Sequence, residues 1–328
     1  MTTTPTLGLH RGMSFADYRA IDAVNKSACG TWLQTGSMAA VRHAMLNRTG
    51  ATAAQRKGTL IHAALLEPDT IEGRLVIGGP KKTVNVGKPN ERTWELSPDS
   101  GEFSDWAAAL EAEGKVGVHT EEWASIEGAC AAVKAHPAAS DLILSPGAYR
   151  EATMLWQTRV SLVQGTPVDV LCKGRPDVIR PDRRMEVDVK VTSRPLTESG
   201  MRSLVANWFY YVQAAAYIDG LQRSFNTSEP WDFVIVFIHE DEPYTPVVRR
   251  LRPDWLTAGL ERWMRFLHEY AQCLAVDIWP GPDGHWTADN EGREPVYPTA
   301  DNIPTLSAPD WIAGRKSPLE VTDDDIVF

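Results

Sequence analysis

Two aspartates and a lysine stand close together in the segment CKGRPDVIRPDRRMEVDVKV, which covers residues 172–191. Ten residues separate Asp177 from Asp188, and one valine separates Asp188 from Lys190. Because successive side chains of a strand point to opposite faces, Asp188 and Lys190 share a face with Glu186, while the intervening valines line the other face. The stretch IRPDRR has the composition of a turn. The sequence therefore predicts a β-hairpin that brings Asp177 beside Asp188.

Two carboxylates and an amine in this arrangement could hydrolyse a phosphodiester. Divalent cations such as Mg²⁺ prefer carboxylate oxygens and lower the pKa of an attacking water. Asp177 and Asp188 supply such oxygens, and Lys190 could orient the water or stabilise charge developing on the phosphate. Gln213 and Tyr217 lie four residues apart on a predicted helix, so both can reach the same site. The alternative interpretation is a surface hairpin whose acids pair with nearby arginines.

Basic residues are concentrated around the two aspartates. The chain has a formal net charge of −10 at pH 7, which disfavours nonspecific adhesion to nucleic acid. Between Lys173 and Arg194, however, seven basic residues outnumber four acidic ones. Lys173, Arg175 and Arg194 flank the aspartates and are predicted to contact phosphates. Exposed cations that only balance nearby acids are the alternative.

The elements that must position these residues alternate between helices and strands. Short helices are predicted before residue 50, followed by a helix over 55–68 in which His62 lies among leucines and an isoleucine. A histidine in that setting is usually a hydrogen-bonded core residue. Residues 78–101 are predicted to form a long polar loop, and Trp94 and Trp106 near it could stack on a base.

A cluster of strands follows a helix over 121–136. The remaining predicted elements are three consecutive antiparallel strands over about 149–163, 166–179 and 185–191, a helix over 204–219, strands over 231–240 and 245–251, and a helix over 254–275 with Leu256, Leu260, Trp263, Leu267 and Leu274 inward. This order predicts an α/β fold with a mixed central sheet flanked by helices. We expect one domain over 1–314, with a helical N-terminal part over about 1–70, and a flexible acidic tail over 315–328.

Composition excludes several classes of protein. The chain has 328 residues, of which 43% are hydrophobic and 23% charged, and no apolar stretch approaches the roughly 20 residues of a membrane span. The N-terminal stretch lacks the layout of a secretory signal, so we expect a cytoplasmic protein without membrane contact. The four cysteines contain no C-x-x-C pair, which argues against a zinc ribbon and predicts reduced thiols in or near the core.

Several segments together resemble one family, the RecE-type exonucleases of phages and prophages, which belong to the RecB-like branch of the PD-(D/E)XK nuclease superfamily. The spacing of Asp177, Asp188 and Lys190 matches the superfamily pattern, with aspartate as the middle acid. The resemblance covers roughly residues 20–285 in the expected order. It is carried by NKSACGTWL, KGTLIHAALLEPD, AHPAASDLI, EATMLW, CKGRPDVI, EVDVKVTSRP, YYVQAAAYIDG and WPGPDG.

The resemblance implies roles for individual residues. It implies that His62, Asp177, Asp188 and the backbone carbonyl of Val189 are metal ligands, and that Glu151 holds a second metal directly or through water. Glu151 would otherwise be a solvated residue at the start of a strand. Lys190 is implied to be the catalytic lysine, and Gln213 with Tyr217 to form the downstream motif. The implied cofactor is Mg²⁺, with Mn²⁺ as an alternative. No iron–sulfur cluster is expected, because the closely spaced C-terminal cysteines of cluster-bearing relatives are missing.

An activity also follows from the resemblance. Members of the family degrade linear duplex DNA from its 5′ ends and leave 3′ single strands for a partner annealing protein of the RecT type. Relatives form rings around DNA, so a homo-oligomer is implied. The rival hypotheses are an endonuclease of the same fold and a DNA-binding or assembly protein without catalysis.

The C-terminal residues TDDDIVF support a separate hypothesis. They resemble the acidic tip of bacterial single-stranded-DNA-binding proteins. Acidic and apolar side chains in such a tip suit a basic pocket on a partner protein. The residues predicted to dock are Asp323, Asp324, Asp325, Ile326 and Phe328. A solubilising tail is the alternative.

Overall fold

The structure is a computed structural model that describes residues 6–47, 53–162, 165–287, 294–299, 301–302 and 304. In chain order, its elements are β1 (Gly8–His10), α1 (Phe15–Ala20), α2 (Lys26–Thr35), α3 (Met38–Leu46), α4 (Ala53–Leu66), α5 (Pro68–Glu72), β2 (Leu75–Ile77), β3 (Lys81–Val84), β4 (Arg92–Glu95), α6 (Gly101–Ala112), β5 (Val116–Val118), α7 (Thr120–Ala135), α8 (Pro137–Leu144), β6 (Tyr149–Arg150), β7 (Thr153–Val160), β8 (Val168–Gly174), β9 (Val178–Arg180), β10 (Met185–Thr192), α9 (Glu198–Asn207), α10 (Tyr210–Ser224), β11 (Asp232–His239), β12 (Pro246–Arg250) and α11 (Pro253–Val276).

A five-stranded mixed sheet forms the centre of the fold. Its strand order is β12-β11-β10-β9-β6. Strand β10 runs parallel to β11, and the other neighbours in this sheet are antiparallel. The predicted hairpin is confirmed, because β9 and β10 are antiparallel neighbours joined by a 3₁₀ turn over Pro181–Arg183.

Helices cover both faces of this sheet. On one face, Leu60 of α4 and Ile126 of α7 pack in one apolar cluster with Val187 and Val189 of β10. On the other face, α9 and α10 cover alternate residues of β11, including Phe233. Each such side chain contributes about 1.5–3 kcal/mol on full burial. The predicted α/β architecture, a mixed central sheet flanked by helices, is confirmed.

Two of the predicted strands are each divided between two sheets. A second sheet has the order β1-β7-β8 and packs on α10 and α11. The predicted strand over 149–163 bends at Glu151 into β6 and β7, and the predicted strand over 166–179 bends near Arg175 into β8 and β9. The strands pair antiparallel as predicted, but the prediction that they lie in one sheet was wrong. Strand propensity does not reveal the bend, because residues on both sides of it favour extended backbone.

Two further predicted elements need correction. The predicted helix over 204–219 is two helices, α9 and α10, separated at Phe209, whose φ of 55° lies in the left-handed region. The predicted loop over 78–101 contains the hairpin formed by β3 and β4. Its turn uses Asn85 at φ 54° and Gly87 at φ 73°, conformations that asparagine and glycine tolerate.

Helix α11 extends over the predicted range but buries a different face. Trp263 and Leu267 are buried as predicted, whereas Leu260 and Leu274 are 46% and 42% exposed. Phe266 and Tyr270 are buried in their place. These bulky aromatic side chains fill the space against the second sheet, so the apolar stripe is rotated from the leucine positions.

The cysteine thiols lie in the core, as the sequence predicted. Cys29, Cys130, Cys172 and Cys273 are free and buried. None of the helices in the described ranges has both the length and the apolar content needed to cross a bilayer. Residues 315–328, and with them the predicted docking positions of the tail, lie outside the described residues.

Candidate active site

The bends between the two sheets create the corner on which the acidic residues stand. The backbone amide of Glu151 donates a hydrogen bond of 3.0 Å to the carbonyl of Asp177. Glu151 has a φ of 51°, a conformation uncommon for any residue other than glycine, and this turns the chain from β6 into β7. Asp177 lies in the matching bend between β8 and β9. Both carboxylates therefore leave the sheet at the same corner.

Helix α4 places an imidazole against these carboxylates. Nδ1 of His62 lies 3.5 Å from Oδ2 of Asp177. One ligand atom from each of His62, Glu151 and Asp177 can be chosen so that all three lie within 4.8 Å of one another. Ligands of a Mg²⁺ or Ca²⁺ ion stand about 2.0–2.6 Å from the metal, so two ligands of one ion are separated by less than about 5 Å. The three side chains fit a divalent cation both in spacing and in donor chemistry.

Asp188 faces the other partners of the cluster. Nζ of Lys190 lies 2.7 Å from Oδ2 of Asp188, and Gln213 Nε2 donates a hydrogen bond to Oδ1 of Asp188. Helix α10 thus brings Gln213 to the site, while the hydroxyl of Tyr217 donates a 3.4 Å hydrogen bond to the carbonyl of Arg175. Asp188 is fully buried and is not part of the group of three ligand atoms found among the described residues.

The hairpin connects the two aspartates through the backbone of Val189. The amide of Val189 donates a 2.7 Å hydrogen bond to Oδ2 of Asp177. The amide and carbonyl of one strand residue point to the same side of the strand. The Val189 carbonyl is therefore directed to the side of β10 on which Asp177 lies, and Val189 itself lines the cleft.

Burial and mutual repulsion raise the pKa values of three acids at this corner, Glu151, Glu186 and Asp188. Burial, together with the charge of Asp177, raises the pKa of Glu151 to about 7, although Arg175 acts in the opposite direction. Burial also raises the pKa of Asp188, which Lys190 counteracts. Glu186 is fully buried with neither carboxyl oxygen hydrogen-bonded in the described part of the chain, and burial raises its pKa well above the usual value. A cation at this corner would stabilise the ionised forms.

The surroundings favour the charged form of Lys190, whereas they disfavour the charged forms of Glu151, Asp188 and Glu186. Burial opposes the positive charge of Lys190, but the carboxylates of Asp188 and Asp177 outweigh that effect and raise its pKa. The ammonium also lies 4.8 Å from the centre of the Tyr210 ring, where the electron-rich face stabilises a cation. Lys190 is therefore protonated at neutral pH and suited to stabilise negative charge. It is not suited to accept a proton.

The cluster opens into a cleft of about 1150 Å³. Arg194 is exposed at its rim, as a phosphate-contacting residue requires. Sequence reasoning missed Lys26, Trp208 and Tyr210, which also line it. Burial and the nearby Lys190 lower the pKa of Lys26 to about 8. Lys26 belongs to the segment NKSACGTWL, which contributed to the resemblance, but its position more than 160 residues before Lys190 gave no signal of proximity.

Two of the residues predicted to contact phosphate bind groups of the protein instead. The ammonium of Lys173 is buried and donates to the carbonyls of Tyr18 and Ile21 at 2.9 and 2.6 Å. The side chain of Arg175 is 7% exposed, and its Nε donates a 2.6 Å hydrogen bond to Glu151. We therefore correct both predictions. Lys173 holds the N-terminal segment against β8, and Arg175 positions an acid of the cluster.

The predicted stacking tryptophans do not line the cleft. Trp106 packs on Phe103 with ring centres 5.1 Å apart. Trp94 is 44% exposed on β4.

Comparison with known proteins places the chain in a family. Residues 34–288 match the family described as a PDDEXK-like domain of unknown function (DUF3799). No curated protein matches the chain. A crystal structure of a candidate exonuclease from Eubacterium rectale is 13% identical, with a TM-score of 0.51, and the alignment covers 93% of this chain and 98% of that one.

A second solved structure is much less similar. It is a phage-related exonuclease from Haemophilus somnus 129PT, 13% identical, with a TM-score of 0.22 and with 37% of this chain and 61% of that chain covered. The likeness to the Eubacterium rectale structure is a likeness of fold. The family match covers most of the chain and confirms the predicted superfamily. The chain belongs to the PDDEXK-like family DUF3799.

Proposed function

We propose that this protein is a divalent-metal-dependent exodeoxyribonuclease that degrades linear double-stranded DNA from its 5′ ends. One observation carries the proposal: the side chains of His62, Glu151 and Asp177 converge beside the Asp188–Lys190 ion pair in an open cleft. Nuclease chemistry is supported by the family. The choice of exonuclease rests on the resemblance to RecE-type enzymes, and the name of the Eubacterium rectale protein agrees with it.

Each residue of the cluster has a distinct part in the proposed reaction. A divalent ion held by His62, Glu151 and Asp177 would offset the charge of the scissile phosphate and lower the pKa of an attacking water. Lys190, held as a cation by Asp188, stabilises the negative charge that develops on the phosphate. Asp188, now oriented by Lys190 and Gln213, and the carbonyl of Val189 are proposed as further ligands once DNA and metal are present.

Tyr217 and Gln213 act through other groups. Tyr217 holds the bend that precedes Asp177, and Gln213 holds one oxygen of Asp188. These contacts make them positioning residues. Outer hydrogen-bond partners of this type orient the groups that touch substrate or metal.

We propose Mg²⁺ as the cofactor and Mn²⁺ as a functional substitute. The oxygen donors of Glu151 and Asp177 suit both ions. An imidazole donor is better suited to Mn²⁺ than to Mg²⁺, because softer nitrogen ligands favour transition metals. We expect activity with both ions.

A comparison of DNA forms tests the proposed function. Linear duplex and covalently closed circular duplex of the same sequence are incubated with the protein and Mg²⁺. Loss of the linear form alone supports an exonuclease, whereas cutting of both forms indicates an endonuclease. Binding without hydrolysis of either form indicates a DNA-binding protein and contradicts the proposal. Asp188→Ala should abolish hydrolysis, and duplexes labelled at one 5′ end report the polarity.

The resemblance also motivates proposals about partners and location. We propose a cytoplasmic homo-oligomer whose 3′ single-stranded products pass to an annealing protein of the RecT type. We further propose that the tail, with Asp323, Asp324, Asp325, Ile326 and Phe328, docks on proteins that recognise acidic tips. Deleting residues 320–328 should leave hydrolysis intact and abolish that docking. Unchanged docking would contradict the tail proposal.

A further inference from the structure

A basic β-hairpin projects from the protein next to the cleft. We call residues 81–95 the basic arm. Strands β3 and β4 pair antiparallel in it, with Lys82 opposite Trp94 and Val84 opposite Arg92. Most of its residues are exposed, and Val86 in its turn is 74% exposed. In the part of the chain that the structure describes, none of the residues that line the cleft belongs to the arm. The arm is therefore a surface separate from the cleft.

The two faces of the arm differ in composition. Directly opposite residues of an antiparallel pair place their side chains on the same face. Lys82, Trp94, Val84 and Arg92 therefore share one face. The hydroxyls of Thr83 and Thr93 are 2.8 Å apart on the other face, which also carries Lys81 and Glu95.

Glu95 shows which face turns to the body of the protein. Its carboxylate accepts hydrogen bonds from the amides of Gly79 and Thr120 and lies 3.8 Å from His119. The face that carries Glu95 is thus anchored at the base of the arm. The face with Lys82, Arg92 and Trp94, which are all exposed, lies opposite this anchored face.

Local pairing leaves the arm cationic. Glu95 is held by backbone amides, and Glu91 accepts a 2.7 Å hydrogen bond from the amide of Gly87 in the turn. The cations have no such partners: across the described ranges, no carboxylate lies within 4.0 Å of the charged group of Lys81, Lys82, Lys88 or Arg92. Both acids therefore serve the fold of the arm, while its cations project into solvent in a chain of net charge −10.

The arm is joined to the rim of the cleft. Arg74 and Val116 line the cleft, and Arg74 directly precedes β2, which pairs parallel with β5, the strand that begins at Val116. Strand β2 leads through residues 78–80 into the arm. Six residues therefore separate Arg74 at the cleft from Lys81, the first residue of the arm.

We propose that the basic arm grips the phosphate backbone of duplex DNA outside the cleft, along one groove. A two-stranded β-ribbon fits the major groove of B-DNA, and the cations on the face with Lys82 and Arg92 can reach the flanking phosphates. Trp94 offers an apolar surface between the cations. This inference rests on the proposed function for its choice of partner, because a cleft that hydrolyses a DNA end needs the adjoining duplex to be held.

The test compares arm variants with a charge-matched control. Lys82→Ala, Lys88→Ala and Arg92→Ala are combined in one protein, and Lys134→Ala, Arg159→Ala and Arg252→Ala in the other. The control positions are exposed and do not line the cleft. Affinity for a 40-base-pair duplex is measured with Ca²⁺ in place of Mg²⁺ at several salt concentrations. Hydrolysis with Mg²⁺ is measured on the same duplex and on a hexanucleotide duplex closed by a loop, which tests the cleft with little flanking duplex.

The arm variant should bind the duplex about 10-fold or more weakly, and the slope of log affinity against log salt should fall by about 2 to 3, since each lost phosphate contact removes about 0.9. Hydrolysis of the looped hexanucleotide duplex should stay at the wild-type rate, and the control protein should match wild type throughout. Unchanged duplex affinity and salt slope in the arm variant would overturn the proposal, and would leave an acidic protein as the partner to consider. Equal losses on the long duplex and on the looped hexanucleotide duplex would also overturn it, since they indicate damage to the cleft.

Single substitutions test the assignment of the faces. Lys82→Ala should weaken duplex binding more than Lys81→Ala, and Trp94→Ala should weaken it without changing the salt slope. Equal effects at Lys81 and Lys82 would contradict that assignment. If the wild-type protein binds duplex DNA without hydrolysing it, and the arm variant binds duplex DNA more weakly, the proposed function fails and the arm proposal stands. If wild-type protein hydrolyses DNA normally and the arm variant binds duplex like wild type, the arm proposal fails and the proposed function stands.

Discussion

The backbone of Glu151 and the backbone of Asp177 are joined by a 3.0 Å hydrogen bond at the corner where two bent strands pass from one sheet to the other. The bond holds the two carboxylates on adjacent strands at one edge, where His62 of α4 meets them. The candidate metal ligands are thus fixed by main-chain geometry. Their spacing does not depend on flexible loops.

Lys190 should be required for turnover and much less for binding. Removing one preorganised charge at a reacting phosphate costs about 10²- to 10³-fold in rate. Lys190→Met should lower kcat by that factor while leaving duplex affinity in Ca²⁺ within about threefold. Lys26 lies over the same Tyr210 ring at 5.5 Å and is the matched control. Lys26→Met should retain most of the activity, and an equal loss in the two variants would contradict the assigned role.

Metal binding should become stronger as pH rises through about 7. Glu151 ionises near pH 7 in the metal-free protein, against an ordinary value of 4.5. The folded state therefore binds more protons than the unfolded state between these values, and this residue's contribution to stability falls as pH rises across that window. A bound cation replaces the proton and reverses this trend, so stabilisation by metal increases with pH.

The measurement is the increase in Tm caused by Mg²⁺ between about pH 6 and about pH 8. The increase should grow with pH in the wild type and grow less steeply in Glu151→Gln, which loses one titrating ligand while the imidazole of His62 must still be neutral to bind metal. Glu67 lies 3.6 Å from Arg175 but is not part of the ligand group, so Glu67→Gln is the control and should behave like the wild type. An increase that grows with pH as steeply in Glu151→Gln as in the wild type would exclude Glu151 as a ligand.

Replacing Gln213 should lower activity and leave the stability of the fold largely unchanged. The amide of Gln213 orients Asp188, and losing an outer hydrogen-bond partner typically lowers activity or metal affinity by about 10- to 100-fold. Gln213→Met keeps the side-chain volume and should produce that loss with a shifted metal requirement. Gln222→Met, on the same helix, removes a 3.1 Å bond to Glu229 outside the site and should leave the metal titration unchanged. Identical metal titrations for Gln213→Met and wild type would contradict the positioning role.

Arg175 should act on stability and on the acid cluster more than on DNA directly. Its buried guanidinium contacts Glu151 and the carbonyl of Met13, and removing one partner of a buried ion pair costs about 3–5 kcal/mol. Arg175→Met should lower the free energy of unfolding in urea by about that amount. Arg194→Met, at the exposed rim, should change stability by less than about 0.5 kcal/mol and weaken duplex binding. If Arg175→Met weakens duplex binding but leaves the free energy of unfolding unchanged, the original prediction that Arg175 contacts a phosphate would be supported.

Two helical glycines should respond in opposite directions to alanine. A Cβ at Gly259 of α11 would lie 2.1 Å from the carbonyl oxygen of Tyr211 on α10. Overpacking of that kind costs about 1–3 kcal/mol, more than the roughly 1 kcal/mol that alanine gains in a helix. Gly30 of α2 has no neighbour within 4 Å of its Cβ direction, so Gly30→Ala should stabilise the protein. Thermal unfolding of both variants distinguishes close helix packing from propensity, and a stabilised Gly259→Ala would contradict the packing of α10 on α11.

Local patterns in the sequence were enough to predict the hairpin, helix α4 and the helical character of the segment that carries Gln213. The alternation in EVDVKV and the turn composition of IRPDRR place Asp188 and Lys190 on one face and bring Asp177 near them. The α/β order of elements was predictable for the same reason. Periodicity and turn chemistry depend on neighbours only a few residues apart.

Tertiary structure alone decided where the distant residues go. The meeting of His62 with Asp177 depends on the packing of α4 against the sheet, and the left-handed bend at Glu151 is imposed by two sheets that share bent strands. The burial of Lys173 and Arg175 was hidden for a related reason, since their charge predicts exposure unless a partner is known. The sequence by itself therefore determined the chemical groups and the hairpin, and packing between distant segments determined which groups meet.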